Sequence, residues 1–156
     1  MSPSKRDTPS TSTHPHRARE IHAELLATVG RDLASTVSEN WFRIDFRFWS
    51  TGTMAQSELT VVERDGATRA VPVPFSVVGA LRELRAEMYE PGRGTWFSLR
   101  YTIDPPMEYR VLFDYDDDPQ WWPEIAPEEW ATDLRAYPRN PEHIPDWLRA
   151  KLPEAE

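Results

Sequence analysis

Four of the five positions from Asp114 to Asp118 are aspartate: Asp114, Asp116, Asp117 and Asp118. Trp121 and Trp122 follow as neighbours, and Glu124 lies just beyond them. Clustered carboxylates can bind a cation, work as an acid–base pair, or attract a cationic partner. A calcium hand fails on spacing. With Asp114 as its first position, Pro119 holds the place of the glycine and Ile125 that of the final glutamate. A looser magnesium site stays open, and with it a small metal-dependent hydrolase that uses the cluster. Carboxylates two apart on a strand sit about 6.6 Å apart at the backbone, a separation that inverting glycoside hydrolysis uses, but no sugar-binding framework surrounds them. Two readings without catalysis remain: a solvated turn at a strand end, and a protein-binding edge. The adjacent tryptophans favour the edge, because aromatic anchors beside charges are typical of binding hot spots. In extended chain Trp121 and Trp122 point opposite ways, so at least one is expected at the surface.

Other chemistry is thin. There is no cysteine, which removes disulfides, thiolate metal sites and cysteine nucleophiles and favours a reducing cytoplasm. His14 and His16 lie in a polar N-terminal stretch, His22 on a helical pattern and His143 in a proline-rich loop, none at a spacing that implies a catalytic partner. No nucleophile elbow, phosphate loop or dinucleotide fingerprint occurs. Gly92-Arg93-Gly94 is a turn into a strand rather than a phosphate cradle. The expectation is a protein without catalytic residues, metal or cofactor, whose partner-binding residues are Asp114, Asp116, Asp117, Asp118, Trp121, Trp122 and Glu124.

Charge narrows the partner. The 156 residues carry a net charge of −8. Residues 1–103 are nearly neutral at +1, and residues 104–156 carry −9. So acidic an end repels nucleic acid and anionic membranes and speeds encounter with cationic proteins. No apolar run approaches the roughly 20 residues that span a bilayer. A second binding surface is conceivable on Arg43, Arg47, Arg100 and Arg110, which alternate along strands, although Asp45 and Asp114 can balance them as a solvated face.

The elements that position these residues follow from periodicity. Residues 1–17 are Ser/Thr/Pro-rich and read as a disordered polar tail; residues 18–156 form one α+β domain. Ile21, Leu25, Leu26, Val29, Leu33 and Val37 recur at helical spacing and predict a helix over 18–38, with Gly30 marking close packing or a break. The period then becomes two, with Phe42, Ile44, Phe46 and Phe48 on one strand face. A second strand spans 55–63, Asp65-Gly66 signals a hairpin turn, and a third strand over 68–73 is an edge because of Pro72 and Pro74. A helix over 76–89 carries Val78, Leu81, Leu84, Arg85 and Met88 along one side. The fourth strand, 96–103, points Phe97, Leu99, Tyr101 and Ile103 one way and Trp96 the other. The fifth points Tyr109, Val111, Phe113 and Tyr115 inward and Arg110, Leu112 and Asp114 outward. Short helices follow from Pro127 and over 145–152. The fold class is therefore α+β: an antiparallel five-stranded sheet with two main helices packed on one face and short C-terminal helices. The other face is polar and open, or partly covered by the C-terminal segment.

This succession resembles the YezG-like immunity protein family over residues 18–152. The resemblance rests on the aromatic strand opening at Trp41, the Gly94-Thr95-Trp96-Phe97-Ser98 strand start and the Phe113-Asp114-Tyr115-Asp116-Asp117 strand end. Pro141-Glu142-His143-Ile144-Pro145-Asp146-Trp147-Leu148 is similar to the actinobacterial branch. It implies a small cytoplasmic antitoxin that neutralises a cognate toxin domain, commonly a nuclease with a cationic cleft, by tight non-catalytic binding. It supplies no contact residues; those named above come from charge and aromaticity.

Overall fold

The computed structural model describes residues 9–37 and 39–154, with side chains from residue 19 onward. The first eight residues of the expected tail lie outside this range, as do the side chains of His14 and His16. Helix α1 runs over Pro9–Ala34, so it begins well before residue 18. Pro9 at its first position suits a helix start, where the missing N–H costs no hydrogen bond. Then come β1 (Trp41–Thr51), β2 (Met54–Glu63), β3 (Thr68–Ala70), α2 (Phe75–Glu87), β4 (Ser98–Asp104), β5 (Glu108–Asp114), α3 (Pro127–Ala136), a single 3-10 turn (Pro141–His143) and α4 (Asp146–Lys151).

All five strands form one antiparallel sheet in the order β3-β2-β1-β4-β5. Asp65-Gly66 makes the β2–β3 turn, with the Asp65 carboxylate accepting the Ala67 amide at 3.0 Å. β3 stops before Pro72, because proline has no amide for the ladder. Two helices cover one face. Val29 and Leu33 of α1 and Val77, Leu81 and Leu84 of α2 pack on Ile44, Phe46, Phe48, Leu59, Leu99, Tyr101 and Ile103. Gly30 is the place of closest approach. A Cβ there would lie 2.5 Å from the Tyr101 hydroxyl, which itself donates to the Leu26 carbonyl at 2.7 Å.

Strand alternation holds in the middle of the sheet and fails at two ends. Phe42 is 54% exposed, while Trp41 packs against the core instead. A register shift between Trp41 and Arg43 is the cause: one extra residue in β1 reverses the facing of everything before it. At the start of β4, Trp96 belongs to the helix-covered core and Phe97 does not, the reverse of the strict alternation expected over 96–103. The regular ladder begins only at Ser98, and just before it the Phe97 amide donates to Asp114 and its carbonyl accepts from Ser50. Tyr109 is partly exposed and stacks on Tyr101 with ring centres 5.2 Å apart.

A second apolar cluster lies on the opposite side, where Trp49 leaves the sheet away from Phe48. Trp49, Phe97, Trp121, Trp130 and Leu148 form it, with Ile125, Leu134, Ile144, Trp147 and Leu152 at its margin. The C-terminal segment therefore covers one end of the otherwise polar face. The remainder of that face is a grid of charges. Arg43 donates to Asp104 at 2.8 Å and Arg100 to Asp45 at 3.0 Å. These pairs hold both guanidinium groups above their ordinary value, and Arg43 draws the Asp104 carboxyl below its own. Among the described residues, no helix is long and apolar enough to cross a membrane.

Candidate functional site

The acidic stretch leaves β5 and turns sharply. Asp114 Oδ1 accepts the amides of both Asp116 (3.0 Å) and Asp117 (2.9 Å), and Asp118 Oδ1 accepts that of Gln120 (2.8 Å). Gln120 itself takes a left-handed backbone, φ 62°. Two of the four aspartates thus shape the loop that displays the other two. Asp116 and Asp117 are exposed, and Asp114 and Asp118 are half-buried. A hydrogen bond with Asp114, reinforced by the negative charge of Asp114, pushes the Asp117 carboxyl above its ordinary value.

The two tryptophans divide as adjacent residues in extended chain must. Trp122 is 81% exposed. Trp121 is buried, edge-on to Trp49 at 6.2 Å, and its indole N–H donates to the Thr51 hydroxyl at 3.1 Å. Its expected place among the partner contacts becomes a packing role: it anchors the loop from beneath. Glu124 is exposed, and Lys151 of α4 stands 3.9 Å from it and 4.0 Å from Asp118. The loop is tied down elsewhere too, since the Trp147 indole donates to the Asp116 carbonyl at 2.7 Å.

Three residues that sequence reasoning missed hold this assembly. Arg85 projects from α2 into the C-terminal cover, where its Nη1 and Nη2 donate to Asp133 of α3 at 2.7 and 2.9 Å and its Nε donates to the Trp96 carbonyl. Asp133 Oδ1 also accepts the Gly52 amide at 2.9 Å, from a turn where Gly52 has a positive φ of 60°. Arg139 donates to the carbonyls of Thr95, Tyr115 and His143 at 2.8–3.0 Å, joining the entry to β4 and the exit from β5, which lie side by side at one end of that pair, to the C-terminal segment. Its guanidinium lies 4.7 Å from the Phe97 ring centre, and burial lowers its pKa from the usual arginine value. Arg85 had a detectable signal, a charged residue inside an apolar helical stripe. Asp133 and Arg139 had none, because their partners are more than forty residues away or are backbone carbonyls.

The loop also walls a groove of about 790 Å³ on the sheet face, bounded by Arg47, Arg100, Leu112, Asp114 and Asp118. A second, more apolar groove of about 450 Å³ runs between Met54, Trp121, Pro123 and Glu129. Among the described residues, no three histidine or carboxylate side chains converge as a metal set would. The arrangement suits recognition: a braced, acidic loop with one large aromatic ring standing in solvent. Compared with protein-family models and with curated proteins, the chain matches none of either.

Proposed function

We propose that this protein is an immunity protein, an antitoxin that neutralises a cognate toxin domain in the cytoplasm by tight binding without catalysis. The observation that supports it most is the pairing of an exposed Trp122 with the exposed Asp116, Asp117 and Glu124 on a loop braced by the buried Trp121, the half-buried Trp147 and Arg139. A braced loop loses little entropy on binding, so more of its contact energy becomes affinity. The acidic charges speed association with a basic partner such as a nuclease domain, and the indole, once covered, slows release. The resemblance to YezG-like proteins points the same way and rests on its quoted motifs.

The test is capture from host lysate with tagged protein, at low and then high salt, read by mass spectrometry. One dominant partner with a basic domain, kept in high salt by the wild type and lost by Trp122→Ala, is the expected result. A partner captured equally well by Trp122→Ala and by a variant with Asp116, Asp117 and Asp118 all changed to lysine would refute this face. A melting temperature raised by several degrees with magnesium or manganese would favour the hydrolase reading instead.

A further inference from the structure

The two edges of the sheet differ. β3 is three residues long and ends before Pro72, whereas β5 is seven residues long and, among the described residues, pairs with β4 alone. An edge strand presents unpaired amides and carbonyls to any other strand, and charges on it normally keep strangers away. On β5 the charges complement themselves. Arg110, Leu112 and Asp114 lie opposite Thr102, Arg100 and Ser98, on the face away from the helices. Leu112, at the centre, is 69% exposed. Arg110 is also largely exposed and reaches Asp104 only at 3.7 Å.

We infer that β5 pairs antiparallel with β5 of a second copy of this chain, about a two-fold axis through Leu112. That register sets Leu112 against its own copy and Arg110 against the second copy's Asp114, and symmetry makes the ion pair twice. On the other face it sets Val111 against the second copy's Phe113. A carboxylate accepts several hydrogen bonds, so Asp114 can hold the loop amides and a guanidinium together. Glu108 then faces the second copy's Asp116, but at the strand's first residue and beyond its last, outside the matched segment; neighbouring registers lose the Arg110–Asp114 pair itself. A slip of two residues one way opposes Glu108 to Asp114. The opposite slip sets Leu112 against Asp114 and leaves Arg110 facing Asp116, beyond the strand end. The matched segment, Arg110 to Asp114, is short, and pairing it buries less than the roughly 1,200 Å² of a standard interface, so the dimer is weak and concentration-dependent.

Sedimentation equilibrium of the full chain, at micromolar to near-millimolar concentration, tests this. A monomer–dimer equilibrium is expected. Arg110→Asp alone and Asp114→Arg alone each create two like-charge pairs and weaken the dimer about tenfold or more. Mixed in equal amounts they restore it, because each variant then meets its opposite charge. Amide hydrogen exchange over residues 110–114 should slow with concentration in the wild type, a readout that holds even if Asp114→Arg disturbs its loop. Trp122→Ala should dimerise as the wild type does, which separates this edge from the proposed partner loop. A wild type that stays monomeric throughout overturns the inference, as does an Arg110→Asp dimer of unchanged strength.

Discussion

The helix-covered core and the C-terminal cluster solve the same problem by different means. In the first, Ile44, Phe46 and Phe48 meet Leu81 and Leu84 through apolar packing, organised by strand and helix periods. In the second, aromatic rings meet at their edges, with Phe97, Trp130 and Trp147 about 5.5–5.8 Å apart, and buried arginines fill the space between. The first core is held by dispersion and area burial, which are non-directional. The second depends on orientation and on satisfied charge, and it carries the acidic loop. The part of the molecule that presents the candidate site is thus the part in which single changes have the most specific consequences.

The largest effect is expected from Asp133→Ala. It strands the buried Arg85 guanidinium and the Gly52 amide together, and removal of one partner from a buried pair costs roughly 3–5 kcal/mol. Chemical denaturation, followed by the summed fluorescence of the seven tryptophans, should show that loss. The double replacement Arg85→Met with Asp133→Leu should cost far less, since a buried pair exchanged whole for apolar groups is often nearly neutral. If the double variant is as unstable as the single one, the pair is not the organising contact.

Leu81→Ala addresses the other side. A cavity in the main core should cost about 2–5 kcal/mol, yet leave the acidic loop's amide protection unchanged relative to the rest of the sheet. Gly30→Ala comes next. The new methyl meets the Tyr101 hydroxyl, so α1 must shift or the Tyr101 to Leu26 hydrogen bond must break. Tyr101→Phe combined with Gly30→Ala should recover part of the loss, because the oxygen that blocks the methyl is gone.

The smallest expected effect is a pH dependence of the loop. The Asp117 carboxyl has a folded pKa raised above its unfolded value of about 3.8. Its favourable contribution is fully present below the unfolded value and is lost as pH rises through the folded one. Asp104 runs the other way: Arg43 lowers its folded pKa, so its contribution is present above the unfolded value and is lost as pH falls through the folded one. Asp117→Asn should therefore remove a slight low-pH gain without altering the Asp104 limb. NMR titration of the two carboxyls reads both signs, and an Asp117 midpoint below that of an exposed peptide aspartate would contradict the first.

What the residues alone determined is local and periodic. The α+β class, the five strands, the edge position of β3 and the Asp65-Gly66 turn all follow from alternation, helical spacing and turn chemistry, each acting within a few positions. The acidic loop and the division of Trp121 from Trp122 were legible in the same way, because neighbouring side chains on extended chain must diverge. Tertiary structure decided which tryptophan went inside: Trp121 did, since Trp49 and the Thr51 hydroxyl wait for it seventy residues earlier. It also decided the facing of Phe42 and Trp96, where a bulge and an irregular strand start each reversed the period. And it brought Arg85 to Asp133 beneath the C-terminal cover and Arg139 to the Tyr115 carbonyl at the start of the loop. A buried charge is stable only with its partner in place, and the choice of that partner belongs to the packing of distant segments, which no local pattern encodes.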